Sequence, residues 1–416
     1  MSLHLRRLSR LSRTLMAIAI ILSLAACTQA GSGSGSGSGS NSGDIVIGAS
    51  IPLSGPLAGF GAFQKWGYQH AVDQANAAGG LDVGGTKRKV QLVLLDDKTD
   101  PNTTSSNVQQ LITSNHVDAL LGSCTPALVN AGAIVADRKL VPMVTGCDPL
   151  EAFKSVKKWT NVWDLFFDEP DLAAVPFQTL KTYTSTTNKK VAILHDNGPD
   201  GQVVGGQLWP AMAAKFGYQV VMNESFPTTA TDFSTLVTQA KATGADVVLV
   251  DAVTPQAVSM RKQMTSSGFA PKVLDIEKGA EPQQFAQALG KLADGILVGG
   301  YWDPSFPYPG AATLRQQFEK ETGQTWSQHI ADSNAAAQIL LDAITAAGST
   351  DKAKVNTAIG QTNKTYVVGP IKFDADHTAK LPIVMDQWQG GDSKVVASSI
   401  ASITPNGTLQ FPLPTP

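Results

Sequence analysis

The residues able to do chemistry in this chain sit where apolar runs end. Two such endings mix hydroxyls, thiols and glycine: Gly122-Ser123-Cys124-Thr125-Pro126 and Thr145-Gly146-Cys147-Asp148. A third, residues 48–61, is punctuated by Gly48, Pro52, Gly55, Pro56, Gly59 and Gly61 and reads as one jaw of a small-molecule site. Others end on acids: Asp96-Asp97, His195-Asp196 ahead of Asp200, then Asp251 and Glu277. Hydroxyls and free N–H groups at a helix start can hold an anion or an amide oxygen. Ser123 or Thr125 could equally serve as a plain helix cap. Catalysis has little support. No HExxH, GxSxG or phosphate-binding loop occurs, and Gly59-Phe60-Gly61 lacks the third glycine of a dinucleotide loop. The six histidines are scattered, and no group of Cys, His and carboxylate has metal-ligand spacing. The expectation is a binding protein without cofactor or metal, not an enzyme.

The elements that must position these endings alternate between strand and helix patterns. Residues 45–49 form a short apolar run, followed by a helical pattern over 62–78; a second strand covers 90–95. Asp100-Pro101 reads as an N-cap followed by proline at the first helical position, opening a helix to about 114. Strands at 117–121 and 141–144 flank a small-residue helix ending near 138. The rhythm breaks over 159–169, around Trp163, Phe166 and Phe167. It resumes with strands at 191–194, 219–223, 246–250, about 273–276 and 296–298. Helical patterns at 311–322, 330–346 and 351–359 then come in succession, before short strands at 371–373 and 383–387. The fold class is α/β: two doubly wound lobes, with ligands expected at the carboxyl ends of the strands.

The ends of the chain are of another kind. Arg6, Arg7, Arg10 and Arg13 precede an apolar run from 15 to 22, and Leu24-Ala25-Ala26-Cys27 follows. That is a secretory signal, too short to span a bilayer. The order around Cys27 resembles a bacterial lipobox, so residues 1–26 are expected to be removed and Cys27 lipidated; an ordinary cleaved signal is the alternative. Residues 31–43 are almost pure Gly/Ser, a flexible tether of roughly 20 Å reach. The whole chain has 32 basic and 34 acidic residues, four of the arginines lying in the leader. Such mild acidity, with no basic cluster among aromatics, speaks against nucleic-acid binding. Cys124 and Cys147 are the two remaining cysteines; outside the cytoplasm they are a disulfide candidate, or else two small buried thiols.

Several of these residues carry a resemblance. Ile47-Gly48-Ala49 with Pro52-Leu53-Ser54-Gly55-Pro56, Gly79-Gly80-Leu81, Asp96-Asp97 with Asp100-Pro101, His195-Asp196, Asp232-Phe233-Ser234-Thr235-Leu236, and Val368-Gly369-Pro370 with Phe373-Asp374 keep one order and spacing over about 44–387. The chain resembles the substrate-binding proteins of ABC importers, in the leucine/isoleucine/valine-binding group with the type I periplasmic binding fold. The resemblance implies three crossings between the lobes, near 166–169, 295–298 and 365–370, and capture by hinge closure. Lobe I would comprise 44–166 and 298–367, lobe II 167–297 and 368–400, with 401–416 as a tail.

It also implies a site. Family members hold an amino-acid carboxylate with hydroxyls and N–H groups of the first lobe, here Ser123, Cys124 and Thr125. Gly146, Cys147 and Asp148 occupy the next loop, and Asp148 departs from the pattern: facing the cleft it would repel a carboxylate, so it either caps the following helix or marks a ligand that is not an α-amino acid. Phe60 stands at the family's aromatic wall. Asp200 and Val253 replace tyrosines, and Glu277 matches the acid that takes an ammonium. The implied partners are a small polar solute and an ABC permease, for a monomer lipid-anchored on the outer face of the membrane. A sensor lobe for a signalling partner and a hydrolase on a related scaffold are the alternatives.

Overall fold

The computed structural model describes residues 43–182 and 186–414, so the signal, Cys27 and nearly all of the tether lie outside the described residues. Two sheets carry the architecture. The first has six parallel strands, in spatial order Thr378–Lys380, Val162–Phe166, Met143–Thr145, Ala119–Leu121, Ile45–Ile51 and Val90–Asp96. The second has seven: Asp392–Ser398, Val384–Gln389, Leu297–Gly300, Val273–Lys278, Val247–Ala252, Lys190–Asp196 and Gln219–Phe226. Its last five strands run parallel, and the first two pair antiparallel.

Alternate residues of the central strands feed different cores, because successive side chains leave a strand on opposite faces. Ala119 and Leu121 join one apolar cluster while Leu120 joins another; Val247 and Leu249 face away from Val248 and Val250 in the same manner. Both faces of each sheet are therefore covered, which is the doubly wound arrangement. Asp100 caps helix Pro101–Thr113 as expected, its carboxylate accepting the Thr103 N–H.

Three expectations need correction. The stretch 159–169 contains a full strand, Val162–Phe166, buried at every position. A parallel strand covered on both faces shows no alternation, so its apolar run passed for an interruption. The second crossing lies beyond Gly300, since Leu297–Gly300 pairs wholly within the second sheet. Its two glycines mark close approach: a Cβ on Gly300 would sit 2.3 Å from an Asp386 carboxylate oxygen, and one on Gly299 2.2 Å from Leu172 Cδ1. The third crossing lies beyond Lys380, because Thr378–Lys380 edges the first sheet. Val368-Gly369-Pro370 belongs instead to the hairpin of Asn363–Tyr366 and Gly369–Lys372. Residues 298–300 therefore pass to the second lobe, and 368–380 to the first. The end of the chain also packs: the Leu413 N–H donates to the Lys272 carbonyl, and Gln387 Nε2 to that of Gln410.

Candidate ligand-binding cleft

Strand ends of both sheets converge on one cavity. Its apolar wall is made by Phe60, Cys124, Pro126, Cys147, Pro149, Phe166, Phe167, Leu172 and Val204, and its polar part by Thr125, Asp200, Asp251, Glu277, Lys278, Glu281 and His329. Phe60 lies in the first turn of helix Ala58–Ala77. The loop before it is pinned by Asp96, whose carboxylate accepts the Leu53 and Ser54 N–H groups (3.0 and 3.1 Å) and the Ser54 hydroxyl (2.6 Å). A Cβ on Gly61 would fall 1.9 Å from the Pro52 carbonyl oxygen, so only glycine lets the helix close on this loop. The Phe60 ring meets the His329 ring edge-on at 4.8 Å.

Thr125 precedes helix Pro126–Arg138 and makes no side-chain cap bond to it. Its backbone has φ +70°, a strained conformation for a β-branched residue. The hydroxyl is thus not spent on capping, and Thr125 and Pro126 line the cavity at the start of that helix. Cys124 and Cys147 are joined in the structure with a Cα–Cα distance of 4.8 Å, which ties the two loops of the first lobe together.

The charged side is built around Lys278, itself at φ +60°. Its ammonium contacts Asp196 (2.7 Å), Asp200 (2.7 Å) and Asp251 (2.8 Å). Burial alone would lower its pKa, but the three carboxylates hold it well above the usual lysine range. Glu277 is buried, accepting the Gly299 N–H on both oxygens (3.0 and 3.1 Å). Burial, with Asp275 and Glu281 nearby, raises its pKa well above the ordinary value. His329 opens helix His329–Ala347, which packs on the first lobe, yet its Nε2 lies 2.6 Å from Glu281 of the second. Its Nδ1 lies 2.7 Å from the Tyr301 hydroxyl and 3.1 Å from Asp332. Burial lowers the imidazole's pKa, but Asp332 and Glu281 overcome that and raise it to about 9.

Of the residues expected at the site, Phe60, Cys124, Thr125, Cys147, Asp200 and Glu277 line this cavity. Four others do not. Ser123 turns inward, its hydroxyl donating to Asp97 (2.8 Å). Gly146 lies against the backbone of Asp332, where a Cβ would be 3.2 Å from the carbonyl oxygen. Val253 only precedes helix Thr254–Ser266. Asp148 is fully buried, with the Asn130 side chain as a polar neighbour and no hydrogen bond to the start of helix Leu150–Val156, so it does not cap the next helix. Burial, then Asp200, pushes its pKa well up, which weakens the repulsion it would exert on an anion. Lys278, Glu281, His329 and Phe166 were missed as site residues. Lys278 had a readable signal, a lysine beside Glu277 when neighbouring strands also end on acids; His329 had none, being brought in from a helix far along the chain.

The family model described as periplasmic binding protein matches residues 44–393. The chain belongs to the periplasmic binding protein family. Within it, a Leu/Ile/Val-binding protein homologue from Brucella abortus is 28% identical over 353 residues, 84% of this chain and 91% of that protein. The fold is shared with a leucine-binding protein from Thermotoga maritima (TM-score 0.76, 22% identity, 85% of this chain and 98% of that one). It is shared too with a benzoate-bound solute-binding protein from R. palustris (TM-score 0.75, 19% identity, 88% and 99%). This is a family of two-lobed extracytoplasmic solute receptors, not of enzymes.

Proposed function

We propose that the cleft captures a small solute with an apolar body, an anionic end and a hydrogen-bond-donating end, and presents it to an ABC permease. The observation that supports this most is the division of one interlobe cavity into an apolar wall and an acidic end. The anionic end would meet the Thr125 hydroxyl and the N-terminus of helix Pro126–Arg138, where backbone N–H groups and the helix dipole favour negative charge. The donor end would meet Glu277. Since Lys278 already occupies Asp200 and Asp251, and His329 pairs with Glu281, Glu277 is the acid of the lining left for the solute. An α-amino acid with an apolar side chain meets all three demands; an aromatic acid meets two. The named relatives include receptors for both chemistries.

A thermal-shift screen of apolar amino acids, amides and aromatic acids tests this reading, because a ligand that binds the folded form raises its melting temperature by mass action. Leucine, isoleucine, valine or a close analogue is expected to give the largest shift. A shift with none of these classes contradicts the reading.

The lipid anchor at Cys27, the disulfide and a monomeric state belong to the same proposal. Intact mass of protein purified from membranes reads the first two together. The expected product begins at an acylated Cys27 and is two hydrogens lighter than a dithiol. Two free thiols would refute the Cys124–Cys147 bridge, and an unmodified Cys27 the anchor. Reducing a bridge whose cysteines are 23 positions apart should lower stability by about 3 kcal/mol.

A further inference from the structure

A second, smaller cavity lies beside the cleft, on the far side of Glu281, with an interior of ≈ 20 Å³. That is room for one or two particles the size of water. Trp326, Ser327 and Gln328, just before helix His329–Ala347 of the first lobe, form one side; Gln283, Asp386 and Asp392 of the second lobe form the other. Unpaired polar atoms concentrate here. Among the described residues, Asp386 Oδ1, Asp392 Oδ1, Gln283 Oε1, Ser327 Oγ and Trp326 Nε1 are buried with no hydrogen-bond partner. Asp386, Ser327 and Gln283 are each more than nine-tenths buried, at 5%, 2% and 8% exposed. A buried polar atom left unpaired costs about 1–3 kcal/mol, so five in one small space point to an occupant.

Charge narrows what that occupant is. Asp392 is compensated by Lys394 (2.7 Å) and by Arg315 (3.7 Å), and Glu281 by His329 (2.6 Å). Asp386 has no cationic partner among the described residues, and Asp303 stands near it with only neutral donors, Ser305 and Asn406, on its carboxylate. Four of the five unpaired atoms are oxygens. We propose that this cavity is a second binding site, taking a small inorganic cation held by oxygens of Asp386, Gln283, Ser327 and Asp392. Because its walls come from both lobes, the bound cation favours the arrangement of the lobes seen in this structure. Burial, with Asp303, raises the Asp386 pKa well above the ordinary range, so protons compete with the cation there.

The test uses the whole mature protein after dialysis against chelator and choline chloride. Sodium, potassium, calcium and magnesium chlorides are added separately at equal ionic strength, and melting is followed. At least one cation is expected to raise the melting temperature above the choline control. Asp386→Asn is expected to abolish that rise and Ser327→Ala to weaken the cation's apparent affinity several-fold. The set of active cations distinguishes a monovalent from a divalent site. If no cation exceeds the choline control, or if a folded Asp386→Asn protein responds like the parent, the proposal is overturned. A response that survives in Asp386→Asn places the cation elsewhere and overturns it equally.

Discussion

Replacing Lys278 by methionine is expected to destabilise the protein by about 3–5 kcal/mol at neutral pH, the cost of removing one partner from a buried ion cluster. The lysine is the cationic partner of Asp196, Asp200 and Asp251 at 2.7–2.8 Å, and methionine strands all three carboxylates in a poorly solvated place. The deficit should shrink as pH falls, because protonation removes the stranded charges in the variant while the parent gains nothing comparable. Urea unfolding of both proteins at pH 7 and pH 5 measures it. A deficit below about 1 kcal/mol at pH 7 would show that the cluster is solvent-screened like an ordinary surface network.

The second large effect is a pH dependence that joins the lobes. His329 is raised from the ordinary 6.5 to about 9, chiefly by Asp332 and Glu281 working against burial. A histidine raised on folding contributes its full stabilisation below the unfolded pKa and loses it as pH rises through the folded one. The contribution is therefore complete below about pH 6.5 and gone above about pH 9, a change of roughly 3 kcal/mol at 1.36 kcal/mol per unit. Asp332 and Tyr301 sit in the first lobe and at the crossing, whereas Glu281 reaches His329 across the cleft. Glu281→Gln should accordingly flatten the pH dependence of unfolding between pH 6.5 and 9 and leave the His329–Asp332 part of it. Identical slopes for parent and variant would place the stabilisation within one lobe and refute a contribution from the Glu281–His329 contact across the cleft.

Local chemistry made much of the fold readable. Asp100-Pro101 announced a helix start, the apolar runs at 45–49 and 191–194 announced buried strands, and the loops after the runs at 117–121 and 141–144 supplied most of the cavity's first-lobe wall. What could not be read depended on partners distant in the chain. Residues 295–298 look like a crossing, yet they lead into the strand Leu297–Gly300, narrowed at its two glycines for Leu172 and Asp386. Val162–Phe166 looks like a break because a strand buried on both faces has no period of two. Asp148 and Ser123 alternate with Cys147, Cys124 and Thr125, and the backbone direction that sends one inward and the next into the cleft is set by packing. His329 lies 182 residues from Cys147, yet its Nδ1 is 3.7 Å from that sulphur.

The central claim is that one solute spans the Thr125 end and the Glu277 end of the cleft. The most direct measurement is isothermal titration of the parent and Glu277→Gln with leucine, isoleucine, valine and benzoate. At least one amino acid should bind the parent, and the variant should bind it about 30-fold more weakly, roughly 2 kcal/mol. Benzoate, which carries no ammonium, should lose little. Amino-acid binding that is unchanged by Glu277→Gln, or no binding of any of the four by a folded parent, would contradict the account.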